Sequence, residues 1–596
     1  MKEKIIIAVV FILAIGVGLF GYFYAGKSER ISEKTGEAKQ AGVNFPISNF
    51  HKSYSSDLDL YENFFKQATS TEKTGEQAIS GVIPHHLVAG KYIANFVKGL
   101  SDQHPQTIVL IGPNHLQRGP DQIVSGVYDW QTPYGVLKTD EKIIKNLSTA
   151  GVVKINDDII DGEWSISSDV PFLKRIWPDA KIIPIILKND INKSELDNLS
   201  DQLIKYLPKN SIVLASVDFS HYLPKEVANF HDDLSINTLA SGNISQVDKL
   251  EIDSQSSLYL LMKYNQLKGV EKFNLVSHTN SADIVGQPDL QETTSHVIGY
   301  FSPGQATEKP EVALQFFGDI MLDRNVAKAM ATSGLDYIFA KLKAQENRFF
   351  WGTDLMGANL EGPFAPARIK TSKSIAFRFD PLLAPQLKNY GFGLLDLANN
   401  HAIDMGWSNL DFTKTVLSAA GLNYFGDELR EGPEYSWIGD VGGYKIAFIG
   451  LNNTDHTLNL SEVEKAMVEA KKSADYVIID THWGVEYKDH SNENQQYLAH
   501  WLIDKGADAV IGGHPHVVEE MEMYKDKPIF YSLGNFIFDQ YFSPETQEGI
   551  SVGLIFGENG VKKVYVFPFY SQKSQPQLMN GQQRADFMKK FNFPNI

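Results

Sequence analysis

The stretch ADAVIGGHPHVVEE, residues 507–520, decides how the C-terminal half of this chain is read. Residues 509–511 form a short apolar run of the kind that fills a buried strand. Gly512 and Gly513 let the backbone turn tightly, and Pro515 stiffens the segment between His514 and His516. Imidazole is the commonest protein metal ligand. Two imidazoles at the end of a buried strand direct attention to the other strand ends.

Four of those ends carry side chains of the same kind. FFGDIML offers Asp319, and GANLEGP offers Asn359 and Glu361. DLANNHAIDMG offers Asn399, Asn400, His401 and Asp404, and IIDTHWGVEY offers Asp480, His482 and Glu486. Singly, an aspartate after glycine serves as a helix cap and a histidine beside tryptophan as a core residue. Yet every set follows an apolar strand candidate, and α/β proteins bind ligands at strand C-terminal ends. A shared metal site explains them together. Carboxylate, amide and imidazole donors suit Mn, Fe or Zn, and a bridging carboxylate holds two ions roughly 3.5–4 Å apart.

A chain of 596 residues is too long for one ordinary core. Apolar runs such as TIVLIG, KIIPIIL and SIVLAS alternate with helical stretches such as SSLYLLMKYNQL, which predicts α/β domains. The net charge of −17 argues against a nucleic-acid partner. The chain has no cysteine, which excludes disulfides, thiolate zinc sites and thiol nucleophiles.

Lys2 and Lys4 precede an uncharged run over residues 5–25, long enough to span a bilayer as a helix. Residues 1–25 are therefore expected to be a single-pass anchor in the cell membrane, with the bulk of the chain outside the cytoplasm. Residues 26–77 read as a polar stalk, with LDLYENFFKQA as a short helix. A first α/β domain is expected over 78–302, a linker over 303–310, a second α/β domain over 311–569 and a polar tail over 570–596.

The first domain repeats the strand-then-histidine pattern. IPHH carries His85 and His86, GPNH carries His115, and SVDFSHY carries Asp218 and His221. VSHTNSADIVG adds His278, Ser281 and Asp283.

The order GD, NLE, NNH, HWG, GHPH and YSLGNFIFDQ over residues 311–569 resembles the CapA family of poly-γ-glutamate capsule-synthesis proteins, itself similar to calcineurin-like metallophosphoesterases. The resemblance implies a four-layer α/β/β/α sandwich holding two divalent ions. Asp319 and His516 would bind one, Asn400, His482 and His514 the other, with Glu361 bridging and His401 as general acid. Met321 stands where many phosphoesterases have a further histidine. Residues 79–302 resemble the Memo family, the B component of the AmmeMemoRadiSam group, through IPHH, GPNH, WQTPYG, VPFL, SVDFSHY and HVIGYF. That family is similar in fold to class III extradiol dioxygenases, which implies a second α/β sandwich with a single Fe or Cu site. His85, His115, Asp218 and His221 occupy the matching positions. Trp164 stands where the family has a histidine, and Ser281 lies about where animal members have a cysteine.

Together these readings lead to a membrane-anchored extracytoplasmic metallohydrolase acting on a phosphoester or amide of an envelope polymer such as poly-γ-glutamate. The alternatives are a non-catalytic factor working with capsule-polymer synthesis or export components, and a redox enzyme acting through the Memo-like half.

Overall fold

The computed structural model describes residues 50–68, 76–591 and 593. The expected membrane span lies outside the described residues. Among the described residues no helix is long and apolar enough to cross a membrane.

Residues 50–302 build one twelve-stranded sheet. At its centre Gly135–Thr139, Lys181–Leu187, Thr107–Pro113, Ser211–Ser216 and Ser80–Ile83 lie side by side and parallel. Of these, Lys181–Leu187, Thr107–Pro113 and Ser211–Ser216 are nearly continuous apolar runs because helices cover both faces. Val109 and Ile111 pack into one core with Leu196, Leu199 and Leu258 from the helices Lys193–Tyr206 and Gln255–Lys268. Ile108 and Leu110, one residue out of phase, pack with Ile93, Val97 and Phe172 on the other side.

The stalk expectation is corrected over residues 50–68. Phe50–Lys52 pairs in parallel with Asp129–Thr132 as an edge strand. Leu58–Gln67 is a helix whose N-cap Asp57 accepts from the backbone of Asp59 and Leu60. It buries Tyr61 against Phe172 at 5.2 Å between ring centroids. Tyr61, Phe64 and Phe65 share one helical face, so a polar composition conceals an apolar stripe.

Residues 312–578 form two further sheets. In the eight-stranded sheet Asn423–Phe425, Phe392–Asp396, Leu355–Leu360 and Val312–Ile320 run parallel, followed by the antiparallel strands Glu548–Gly557, Gly560–Gln572 and Gln575–Leu578. The short strand Asn535–Ile537 joins alongside Val312–Ile320. In the six-stranded sheet Tyr444–Asn452, Tyr476–His482, Ala509–Gly513 and Lys527–Phe530 are parallel neighbours. Leu314, Phe316 and Val552 of one sheet share a core with Phe448, Ile478 and Ile511 of the other. The outward-facing Ile449, Ile479 and Val510 pack instead on Val463, Met467, Leu498 and Leu502 of the helices Leu460–Ala470 and Glu493–Lys505. The polar-tail expectation is corrected too. Gly581–Lys590 is a helix, and Phe587, Met588, Phe591 and Phe593 enter the core between the sheets.

The two halves share apolar surface. Phe230 packs on Tyr565 and Phe567, with ring centroids 5.3 and 5.6 Å apart. Arg348 forms a buried ion pair with Glu251. The linker is tied down as well: Asn237 donates to the Lys309 carbonyl at 3.0 Å and accepts from Glu311 N–H at 2.8 Å.

Candidate metal centres

In the second half the parallel strands of both sheets end on the same edge. Val312–Ile320 places Asp319 there, Leu355–Leu360 places Asn359 and leads to Glu361, and Tyr476–His482 places His482. Ala509–Gly513 leads to His514 and His516. Both histidines take left-handed backbone conformations, with φ of 93° and 59°. Non-glycine residues rarely adopt that region, and backbone strain of this kind clusters at functional sites.

Asp319, Glu361 and His516 are buried, with ligand atoms within 4.8 Å of one another. His516 Nδ1 lies 3.4 Å from Asp319 Oδ2, and its Nε2 lies 3.6 Å from Glu361 Oε1. The Asn535 side-chain oxygen is 3.0 Å from His516 Nδ1. Asn359 donates to Asp319 Oδ1 at 2.8 Å and sits 3.3 Å from His482 Nδ1. His482 Nε2 is 3.0 Å from the Asn400 side-chain oxygen, and the His482 and His514 rings are 4.8 Å apart. Neither oxygen of Glu361 receives a hydrogen bond from the described residues, and neither does His514 Nδ1 find a partner. A buried carboxylate left without donors is costly unless something cationic completes it.

The charge pattern fits. Burial and the adjacent Asp319 carboxylate hold Glu361 well above the usual carboxylate range. Burial and the neighbouring His516 ring push His514 down to about 4. Burial and His514 hold His482 well below the usual imidazole range. Neutral imidazoles keep the lone pairs that ligation requires. His401 is set apart from this group: its Nδ1 is 2.6 Å from the buried Asp404 carboxylate, while Nε2 faces Glu361 Oε1 at 3.9 Å.

The first-half cluster is smaller. His85, His115 and Asp253 bring ligand atoms within 4.8 Å, and so do Asp218, His221 and Asp253. His85 Nε2 lies 3.1 Å from Asp253 Oδ2 and 3.3 Å from Asp218 Oδ2. Neither Asp253 oxygen receives a hydrogen bond in good geometry from the described residues. His115 Nδ1 is 2.7 Å from Glu163 Oε1. Burial works against a charge on His85, but Asp218 and Asp253 outweigh it and raise that imidazole to about 10.

The seven second-half residues given roles by the resemblance lie together on one edge, and His85, His115, Asp218 and His221 lie together in the first half. Several partners were not legible. Asp253 lies just before the helix Gln255–Lys268 and follows no apolar strand run. Ser281 does not join the cluster; its hydroxyl accepts from Thr294 N–H at 3.0 Å. Asn535 lies inside the quoted YSLGNFIFDQ motif without a role assigned to it. Asp396 lies beneath the second site, close to Asp480, where Gly426 and Gly450 leave no room for a Cβ beside its carboxylate. Burial and Asp480 raise Asp396 well above its usual range, and burial and Asp319 raise Asp480 to about 8. Elsewhere, Met321 is buried and its sulfur accepts from Asp323 N–H at 3.1 Å. His86 meets His296 at 3.1 Å, and His278 meets Asp232 at 2.7 Å.

Comparison with known proteins matches residues 313–540 to the family described as "Bacterial capsule synthesis protein PGA_cap" and residues 50–302 to "Memo-like protein". The "PGA biosynthesis protein CapA" of Bacillus subtilis (strain 168) is 32% identical over 44% of this chain and 73% of its own length. The "Capsule biosynthesis protein CapA" of Bacillus anthracis is 29% identical over 54% of this chain and 82% of its own. A "MEMO1 family protein" of Pyrobaculum arsenaticum is 26% identical over 47% of this chain and 95% of its own.

Proposed function

Because the chain belongs to the family of bacterial capsule synthesis proteins and carries a Memo-like half before that region, we propose that it is a metal-dependent hydrolase of the metallophosphoesterase type. It is anchored in the cell membrane, works outside the cytoplasm, and cleaves a phosphoester or amide bond of an envelope polymer such as poly-γ-glutamate. The observation that carries this reading is Glu361, buried without a hydrogen-bond donor between His516 on one side and His401 on the other.

Asp319, Glu361 and His516 would hold one ion, and Asn400, His482 and His514 a second, with Glu361 shared between them; Mn, Fe and Zn suit this donor set. Divalent ions in such a place lower the pKa of water and polarise a phosphoryl or carbonyl oxygen. The rest is done by the chain. Asn359 and Asn535 orient Asp319 and His516. Asp404 accepts the Nδ1 proton of His401 and fixes the ring with Nε2 towards Glu361. His401 Nε2–H then protonates the leaving group.

The test is hydrolysis of phosphodiester and γ-glutamyl substrates by the full chain, with and without chelation. Activity that chelation removes and Mn²⁺ or Zn²⁺ restores supports the reading. An ion-loaded chain inert towards every such substrate favours the assembly-factor alternative. A second reading rests on Asp253. With His85 and His115 it would complete a three-ligand site for one Fe or Cu ion in the first half.

A further inference from the structure

His115 has both ring nitrogens engaged. Nδ1 faces Glu163 Oε1 at 2.7 Å, and Trp164 Nε1 donates to Nε2 at 3.0 Å. An indole N–H is a donor only. The contact therefore requires a lone pair on Nε2, with the ring proton on Nδ1 given to Glu163. That Nε2 lone pair is the one a cation among His85, His115 and Asp253 needs. The indole also lies across the imidazole, with centroids 4.2 Å apart and planes inclined by 29°. Glu163 is buried and fixed, whereas Trp164 is half-buried at the wall of a cavity of about 400 Å³ that His85 and Asp218 also line. The indole has space to leave.

We propose that Trp164 gates the first-half metal site: its N–H and a divalent cation compete for the same lone pair of His115, so loading requires the indole to swing away. This rests on the reading that the first-half cluster binds a cation, and it is independent of the second-half centre. A net hydrogen bond removed from the empty state tightens cation binding by roughly fivefold to tenfold.

The experiment is a calorimetric titration of the full chain with Zn²⁺. The binding phase that disappears in His85→Ala belongs to the first half. In Trp164→Phe that phase should tighten roughly fivefold to tenfold, while the remaining phase stays unchanged. An unchanged or weakened phase overturns the gate, and so does the lack of any phase that depends on His85. A measurement on the unmutated chain guards against a misfolded variant. Tryptophan emission should change as the His85-dependent phase fills, and constant emission contradicts the gate. Failure of the second-half reading shows separately, as loss of the phase that His85→Ala leaves in place.

Discussion

Both halves gather imidazoles around a carboxylate at the ends of parallel strands, yet they prepare their histidines in opposite ways. In the first half His85 faces two carboxylates, Asp218 and Asp253, and is raised to about 10. In the second half His482 and His514 face each other more than any carboxylate, and burial holds both low, His514 at about 4. A protonated imidazole is no ligand. The local ratio of carboxylates to imidazoles thus decides whether a histidine cluster stands ready for a cation or is already neutralised by its own protons.

The sharpest contrast is chemical. His401→Ala should keep the second-half ions but lose turnover by about 10²–10⁴-fold on a poor leaving group, and far less on nitrophenolate. Metal content and kinetics on one preparation check this. Loss of ion from His401→Ala would make it a ligand and erase the distinction between it and His514.

A large structural effect is expected where the halves meet. Arg348→Ala strands the fully buried Glu251 carboxylate, which also accepts from His221 N–H at 2.8 Å. Breaking such a pair costs about 3–5 kcal/mol. Denaturant unfolding should show that loss in a single transition spanning both halves, because Phe230 and Phe567 belong to one core. Two separate transitions would mean that the halves fold independently.

Next in size is the pH dependence of loading. A cation entering the first half must displace a proton from His85, so affinity there should fall about tenfold per pH unit below about 10. In the second half His514 is neutral above about 4 and His482 is held well below the usual imidazole range, so loading at these two should lack an imidazole-proton step between pH 6 and 8. Imidazole proton release followed by NMR during loading distinguishes the two, since Glu361, held well above the usual carboxylate range, has a proton of its own to lose. Equal release from both sites would remove the contrast.

The smallest effect concerns Glu519, which burial raises to about 8 although Gln495 donates to it at 2.7 Å. Its folded pKa exceeds the unfolded one, so the folded chain holds the extra proton. Stability is lost as pH rises from the ordinary carboxylate range through about 8. Glu519→Gln should therefore gain on the parent chain at pH 9 relative to pH 5. A Tm difference that does not change with pH refutes this.

The strands TIVLIG, KIIPIIL and SIVLAS were legible because burial on both faces leaves an unbroken apolar run. The second-half cluster of candidate ligands stands out in the sequence because its members follow such runs. The helix Leu58–Gln67 was legible, but the burial of Tyr61 and of Phe587 was not, because a few apolar residues at helical spacing vanish in a polar average. Asp253, Glu163 and Arg348 were missed for another reason. Their roles depend on contacts between segments distant in sequence, and no local pattern records those. Ser281 lies about where animal members of the resembling family have a cysteine, but it is Asp253 that the fold brings to the histidines.

The most direct test is the metal content of the purified full chain after loading with Mn²⁺ or Zn²⁺ at pH 7 and desalting, compared with Asp319→Ala, Glu361→Gln and His85→Ala. If the second half is the ligand-ready centre, the parent chain retains tightly bound ion, His85→Ala retains nearly as much, and the Asp319 and Glu361 variants lose most of it. Undiminished ion in Asp319→Ala and Glu361→Gln, or loss of the ion in His85→Ala alone, would contradict that assignment.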